Sequence, residues 1–562
     1  MPANVNLASA PSLSGSPASL SRPDTTRRHE PWTIATIVLI TIAVAIRIFF
    51  WFYTQRNWED ALITVQHAEN AARGLGLTHT PGGPHVHGFT SALSVLIPLL
   101  GEFLHHGLGL PLLKFVSAIC GGIAVWLAMR ICRRLEVSFP IALLIAGYLA
   151  IEHHQILFGM AGMETQVAVT VLLFAIDSLI DMRPLRVGLS LALCPLARPD
   201  FGFWVVFLLL LVAWRGYKSG RWDALETSIF ALLVISGPWI AFTTWYYGSP
   251  LPNTILAKAF GFGNNHGVAL PWYRGVPVPA IIGRFLARLR SLIAVLGPAY
   301  GGNGTGFATF PFDPQGIISC IVFAFTMAGT VACLYRRQIV YLSIAGFITG
   351  YLLYYLFLVE VIALWYCIPF AAIAMLAAGI GLDATLSRLR GIRWRIAAAY
   401  AVAGAYLAVL IAVTPITING ERNVQRYVED QVRKRIGLYL ADNTRPDQTI
   451  GCEPLGYIGY YSRREMFAYP GMTNPQVVRF VREHPDQRNL VDMLDYFRPD
   501  YIALRPLEYK LALRQGKKWL VTDYEMVADF STPDYEKEQL LFPNQNLDTE
   551  FYLLKRRSAA LP

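Results

Sequence analysis

"NWEDALITVQHAENAARGLGLTHTPGGPHVHGFTSALSVLI" spans residues 57–97, directly after the apolar run "WTIATIVLITIAVAIRIFFWFY" (32–53). A run of that length matches the roughly 20 residues that cross a bilayer as helix. The 57–97 stretch itself is half polar. Glu59 and Asp60 are adjacent, His79, His85 and His87 come close together, and Gly and Pro crowd 74–84 before another apolar stretch begins. Acids and a glycine-rich loop between apolar segments point to a polytopic membrane protein with chemistry at one membrane face.

Composition agrees. Of 562 residues, 54% are hydrophobic and only 15% charged, against about 25% charged in soluble chains. The net charge of +10 comes largely from short basic clusters between apolar runs, where the positive-inside bias puts them. The partner this implies is the bilayer, not nucleic acid. Cys120, Cys132, Cys194, Cys320, Cys333 and Cys367 lie in or beside apolar runs, Cys452 is alone in the polar C-terminal part, and no zinc or CxxC spacing occurs. Residues 1–30, rich in Ser, Pro and Ala, read as a disordered cytoplasmic tail. The run after them is long and ends without a small-residue cleavage site, so it is expected to remain as a first span with the N-terminus inside.

Basic clusters set the topology of the rest. A crossing at 89–104 would put "RICRR" (130–134) outside, so 89–106 is expected to lie on the outer surface, with 111–131 as the second span. Residues 54–110 then form a first external loop with surface helices. Pro199 is expected to break 187–214 into two short helices at "ARPDF" (197–201). A second large external loop, 247–313, carries the amphipathic "GRFLARLRSLIAVLG" (283–297), suited to the membrane surface. The count reaches about eleven transmembrane helices within 31–419. An odd number places 420–562 outside as a soluble α/β domain. There "RNVQRYVEDQVRKRIGLYLAD" (422–442) reads as helix, and "PDYIALRP" (499–506) and "EFYLLKR" (550–556) as strands.

Polar residues gather at the expected outer ends. Glu59 and Asp60 suit the first turn of a surface helix; one of them also suits a general base for a hydroxyl. The turn at 74–84 is flexible enough to close over a bound group. The histidines with the two acids leave open a divalent metal site of mixed oxygen and nitrogen donors. Glu164 in "GMET", Arg198 and Asp200 in "ARPDF", and Asn253 and Lys258 in "YYGSPLPNTILAK" are charges or amides at membrane depth, where they are costly and therefore functional candidates. Mutual pairing of Arg198 and Asp200 is the alternative for those two.

"WEDALITVQHAENAARGLGLTHTPGGPHVHGFTS", "GMET", "LARPD", "GSPLPNTILAK" and "EPLGYIGYYSRREMFAYPGMTNP" (453–475), in that order, resemble bacterial GT-C fold membrane glycosyltransferases that use polyprenyl-phosphate sugars. The terminal arabinofuranosyltransferase-like group is the most similar. The resemblance implies a catalytic carboxylate in the first external loop, matching Asp60 with Glu59 beside it. Two positions depart from the pattern: His87 and Ala468 stand where such enzymes often carry acids.

The mechanism this implies is a single displacement with inversion at the outer face of the cytoplasmic membrane. Asp60 takes the proton of an acceptor glycan or glycolipid hydroxyl. Arg198 and Lys258 hold the departing lipid phosphate, Arg as a fork and Lys as a point charge. His87, Thr90, Glu164, Asp200 and Asn253 are expected around the substrate. The rival classes are a flippase of lipid-linked sugar, which would show charges in mid-span, and a non-catalytic envelope assembly protein. The absence of matching broken helices in two halves weighs against a transporter.

Overall fold

The computed structural model describes residues 25–261, 277–298, 314–359, 361–540 and 548–557. Most of the expected N-terminal tail lies outside these residues, as do 262–276 and 299–313 of the expected second loop. The first helix, Thr25–Thr54, begins within the segment expected to be disordered.

Among the described residues eight helices are long and apolar enough to cross a membrane, and the pair Phe139–Ile151 and His153–Met160, bent by 41°, makes a ninth if counted as one span. Two shorter apolar helices are Ala92–Leu104 and Pro184–Ala197, so length and composition give eight or nine spans among the described residues where about eleven were expected. The chain is a polytopic membrane protein. Large apolar side chains such as Ile37, Phe52, Leu210, Ile321 and Ile411 are exposed on the span helices, as a surface facing acyl chains requires. Inside the bundle, small residues bring backbones together. A Cβ at Gly329 would collide with the carbonyl of Ala377, and one at Gly381 with that of Phe325.

The break at 197–201 forms as expected. Arg198 is extended (φ −156°, ψ 127°), and a 3-10 turn, Pro199–Phe201, leads into Gly202–Ser219. Proline both lacks the amide a helix needs and pushes its predecessor out of helical geometry.

The first polar loop carries two helices, Glu59–Ala72 and Ala92–Leu104. The second is 13 residues long, too short to cross, and leaves Leu100, Phe103 and Leu104 exposed along one side. The turn at 74–84 is not a free flap. Asn70 Nδ2 donates to the carbonyls of Thr78 and His79 (both 2.9 Å), Gln66 Nε2 donates to that of His79 (2.8 Å), and Tyr247 donates to that of Leu77 (2.8 Å). Polar side chains of the preceding helix use up its backbone groups, so it packs instead of closing over a cavity.

The last span shows no linker at residue 420. Helix Ile392–Asn423 runs through a π-helical stretch, Val424–Arg433, into Lys434–Asn443 as one continuous rod. π-helical insertions are frequent at functional sites, and this one carries three residues that reach back to the first loop. Gln425 Oε1 accepts from the Asn57 amide (3.0 Å), Glu429 pairs with Arg56 (3.0 Å), and Arg433 pairs with Glu59 (3.2 Å).

Beyond the rod lies a five-stranded sheet ordered β2-β1-β3-β5-β4. The strands are β1 Thr449–Cys452, β2 Glu465–Ala468, β3 Tyr501–Leu504, β4 Tyr524–Ser531 and β5 Glu550–Arg556. β1 pairs parallel with β2 and β3, and β5 pairs antiparallel with β3 and β4. Helix Leu455–Ser462 connects β1 to β2; helices Pro475–Glu483 and Leu490–Phe497 connect β2 to β3. Ile436 and Leu440 of the rod cover one face over Ile450 and Ala503, while Val477, Phe480 and Leu494 cover the other over Ile502 and Leu504. A sheet buried on both faces is what parallel pairing demands. Because the chain leaves β1 toward β2 and then crosses to β3, the carboxyl ends of β1 and β3 flank a topological switch point, where open α/β sheets bind ligands.

Candidate active site

Asp60 and Glu59 open helix Glu59–Ala72 as its first-turn acids, a placement the helix dipole favours. The helix start is clamped. Buried Arg56 pairs with Glu421 (2.9 Å) and Glu429 (3.0 Å), and Lys114 Nζ donates to the Arg56 carbonyl (2.8 Å) and Asn57 Oδ1 (2.7 Å). Further along, Glu69 accepts from Tyr460 and pairs with Arg463, tying the helix to Leu455–Ser462. The acids are therefore displayed from a rigid base.

Their roles separate at once. Glu59 is occupied: Oε1 accepts from the Gly456 amide (2.9 Å) at the start of helix Leu455–Ser462, and Oε2 pairs with Arg433 (3.2 Å). Burial pushes its carboxyl up to about 8, against the pull of Arg433 and with help from Glu453 and Glu429. Asp60, by contrast, has no side-chain partner among the described residues. Burial raises its carboxyl above the ordinary aspartate value, with Lys258 opposing and Glu453 reinforcing. A half-buried carboxylate with a raised pKa and a free lone pair has the properties that suit a proton acceptor.

Two cavities lie near this carboxylate, which lines one of them and the narrow space between the two. One, of about 410 Å³, runs between Arg198, Asp200, Lys258 and Tyr355, and its wall includes the exposed apolar residues Leu251, Ile255 and Leu358. The other, of about 310 Å³, lies under the α/β domain between Trp58, Asp60, Trp365, Arg433, Glu453 and Tyr469. A narrow space lined by Asp60, Thr90, Glu164, Arg198 and Lys258 joins them. Lys258 lines all three.

Arg198 is fixed by its neighbours. Nε and Nη2 donate to the two oxygens of Asp200 (2.9 and 3.1 Å), Tyr355 donates to the same carboxylate (2.5 Å), and Nη1 is 3.6 Å from Glu164. Pairing with Asp200 and a place on the cavity wall are thus both true of Arg198. Lys258 sits on helix Asn253–Gly261 and donates to the Tyr366 hydroxyl (2.5 Å). That helix is strapped to the α/β domain by Asn253, whose amide donates to the carbonyls of Gly471 (2.8 Å) and Met472 (2.9 Å). Asn253 thereby positions Lys258 and lies outside the walls of these cavities, contrary to its expected place around the substrate. Thr90 lines the groove and faces Thr254 (3.2 Å).

The mixed metal set is not assembled. Among the described residues no group of three or more His, Cys, Asp or Glu side chains converges as ligands would. The acids face the cavities, whereas His85 stacks on Tyr246 (4.0 Å) and buried His87 stacks on Tyr247 (4.8 Å). Burial pushes His87 down to about 4 and His79 well below the ordinary imidazole value, so both are neutral packing groups. His87 touches neither cavity wall; only its carbonyl, accepting from the Asn253 amide (2.9 Å), serves the site.

The α/β domain supplies residues from the 453–475 motif to which the sequence assigned no individual role. Glu453 follows β1, Tyr469, Pro470 and Met472 follow β2, and Arg505 follows β3, pairing with Glu453 (2.7 Å). The carboxyl ends of the parallel strands therefore form the cavity roof. Tyr355, Trp365 and Tyr366 come from the helical region, where no sequence periodicity sets them apart from packing aromatics. Gly456 shows how tight the closure is, because a Cβ there would strike the backbone and Cγ of Glu59. Gly456→Ala is expected to cost about 1–3 kcal/mol, the usual penalty of overpacking, read as a lowered thermal midpoint of the purified protein. Gly404→Ala, in a position nothing approaches within 4 Å, is the neutral comparison.

Residues 422–551 match the family model described as Domain of unknown function (DUF8728), which covers the α/β domain. No curated protein sequence matches the chain. Among solved structures, the archaeal oligosaccharyltransferase AglB from Archaeoglobus fulgidus, in complex with an inhibitory peptide and a dolichol-phosphate, is similar with TM-score 0.53 and 14% identity, over 91% of this chain and 81% of that one. ArnT from Cupriavidus metallidurans bound to undecaprenyl phosphate is similar with TM-score 0.50 and 11% identity, over 95% and 99% of the two chains. Its apo state gives 0.51 at 12% identity, over 94% and 98%. At such identities the likeness is one of fold, and it extends over membrane helices and α/β domain together. The chain has the GT-C fold of these membrane proteins.

Proposed function

We propose that the protein is an inverting glycosyltransferase that moves a sugar, a pentose such as arabinofuranose or a hexose, from polyprenyl phosphate to a glycan or glycolipid of the cell envelope. It acts at the outer face of a bacterial cytoplasmic membrane, with the N-terminus inside and the α/β domain outside. The observation that carries this reading is the position of Asp60, a carboxylate without a side-chain partner among the described residues, on the narrow space that joins a cation-lined groove to a second cavity. The groove suits a lipid phosphate: Arg198 and Lys258 supply charge and Leu251, Ile255 and Leu358 an apolar entry. The lipid phosphates bound by the two similar structures support the same assignment.

In the proposed step the acceptor hydroxyl gives its proton to an Asp60 oxygen as its own oxygen bonds to the anomeric carbon. The bond from that carbon to the phosphate oxygen breaks, and its electron pair leaves on the phosphate. Arg198 and Lys258 lie preset where this charge grows, which lowers the barrier without reorganisation. Tyr366 holds Lys258, and Asp200 with Tyr355 holds Arg198. Mass analysis of cells with and without the protein tests the reading. Loss should leave the polyprenyl-phosphate sugar accumulated and one glycosidic linkage missing from the envelope. A missing lipid-linked sugar at the outer leaflet with its precursor trapped inside would make the protein a flippase instead.

A further inference from the structure

The two cavities joined by the narrow space at Asp60 and Lys258 have opposite electrostatic character. In the groove, Arg198 and Lys258 face a single carboxylate, Asp200, which Arg198 already chelates. The cavity under the α/β domain holds five acids, Asp60, Glu429, Glu453 and Asp548 and also Glu59, whose carboxyl burial pushes up to about 8. Its three cations are Arg56, Arg433 and Lys258. Two of these are already engaged. Arg56 is spent on Glu421 and Glu429, and Arg433 on Glu59, Glu429 and Asp548 (2.6 Å). The third, Lys258, is shared with the groove. Negative charge therefore prevails on the acceptor side, and the raised carboxyls of Glu59 and Asp60 both respond to Glu453.

Glu453 is the most accessible of the fixed charges there. Its side chain is 44% exposed and has Arg505 as its partner (2.7 Å), while Arg505 also holds Glu508 and Asp548. Arg505 would therefore stay anchored if Glu453 lost its charge. The remaining walls are aromatic, Trp58, Trp365, Tyr366 and Tyr469. Arg433 Nε is buried without a hydrogen-bond partner among the described residues, a donor suited to a hydroxyl oxygen.

We propose that this cavity selects an acceptor terminus that is polyhydroxylic and free of negative charge, and that Glu453 is the residue setting that selectivity. A neutral or amine-bearing sugar meets aromatic faces and hydroxyl partners. A uronate or phosphorylated sugar meets the free Asp60 carboxylate and acids that share a smaller number of cations, in a partly buried cavity where like charges repel. The two spaces thereby divide the labour: the anion of the reaction, the lipid phosphate, belongs in the groove and is refused by the cavity. The inference rests on the glycosyltransferase reading for the word acceptor, but the charge selectivity stands or falls by binding alone.

Binding of matched octyl glycosides, pentofuranosides and hexopyranosides in neutral, amino and carboxylate forms, is measured on the full-length protein in nanodiscs at low and physiological ionic strength. Undecaprenyl phosphate is titrated in parallel. The carboxylate forms should bind at least about tenfold more weakly than their neutral partners, and salt should narrow the gap. Glu453→Gln should bring the ratio to within about threefold, while Glu453→Asp should keep it. Equal or tighter binding of the carboxylates, an unchanged ratio in Glu453→Gln, or no glycoside binding at all overturns the inference. If undecaprenyl phosphate still binds in any of those cases, the transferase reading survives it; if undecaprenyl phosphate fails to bind, that reading is what fails.

Discussion

Asp60→Asn leaves the protein folded in the membrane and lowers sugar transfer by about 10²–10⁴-fold, the usual share of a general base. Folding survives because the Asp60 carboxylate has no side-chain partner to lose. The amide keeps the shape and one oxygen but cannot take the proton. Wild-type kcat/KM should fall as pH drops through the Asp60 pKa, since only the ionised carboxylate is a base. Burial raises that pKa, so the acid limb lies above the ordinary aspartate range, and Asp60→Asn should erase it. Glu59→Gln should cost less, because the carboxyl is already committed to Gly456 and Arg433 and an amide oxygen can still accept from Gly456. Normal turnover by purified Asp60→Asn protein would remove Asp60 as the base.

Arg198→Ala combines two losses. The side chain is 4% exposed, and its removal leaves Asp200 and Glu164 uncompensated at low dielectric, which typically costs about 3–5 kcal/mol for a broken buried pair. It also strips the groove of its preset fork. Deleting one donor of that kind costs about 10²–10³ in kcat, and an effect confined to KM for the lipid donor would mean uniform binding of ground and transition states. Arg198→Lys should restore part of the rate, charge without the fork. The pairing with Asp200 supplies the discriminating variant. Arg198→Ala combined with Asp200→Ala relieves the stranded charge, so it should recover stability but not turnover. Recovery of turnover together with stability would make Arg198 a structural partner only.

Much of this arrangement was legible in the sequence because bilayers impose simple rules. Apolar length and basic clusters gave the spans, and Pro199 gave the break at Arg198, since a proline cannot be hidden in a helix. The same charge reasoning identified Ala92–Leu104 as a helix that does not cross. Arg198 and Lys258 stood out because charge at membrane depth is costly, and Asp60 because it follows the first span in a polar loop that resembles a family's catalytic one. The pattern could not convey what each group was paired with. Glu59 and Asp60 look alike in "WED", and only the approach of Gly456 and Arg433, nearly four hundred residues later, makes one a strut and the other free. His79 and His87 looked like ligands because histidine is polar, yet burial among aromatics turns them into packing groups. Asn253 looked like a substrate contact, but its partners are carbonyls of the 471–472 loop. The 453–475 motif was visible, but its place as the cavity roof was not, for a topological reason. Glu453, Tyr469 and Arg505 meet only because three parallel strands end side by side.

The central claim is transfer by single displacement at Asp60, and the anomeric configuration of the product tests it most directly. The purified protein, reconstituted in vesicles with a polyprenyl-phosphate sugar labelled at the anomeric carbon and a neutral glycoside acceptor, is followed by NMR. The account predicts a glycoside of inverted anomeric configuration, formed in step with free polyprenyl phosphate and absent from Asp60→Asn vesicles. Retained configuration, or intact donor crossing the bilayer without release of phosphate, would contradict it.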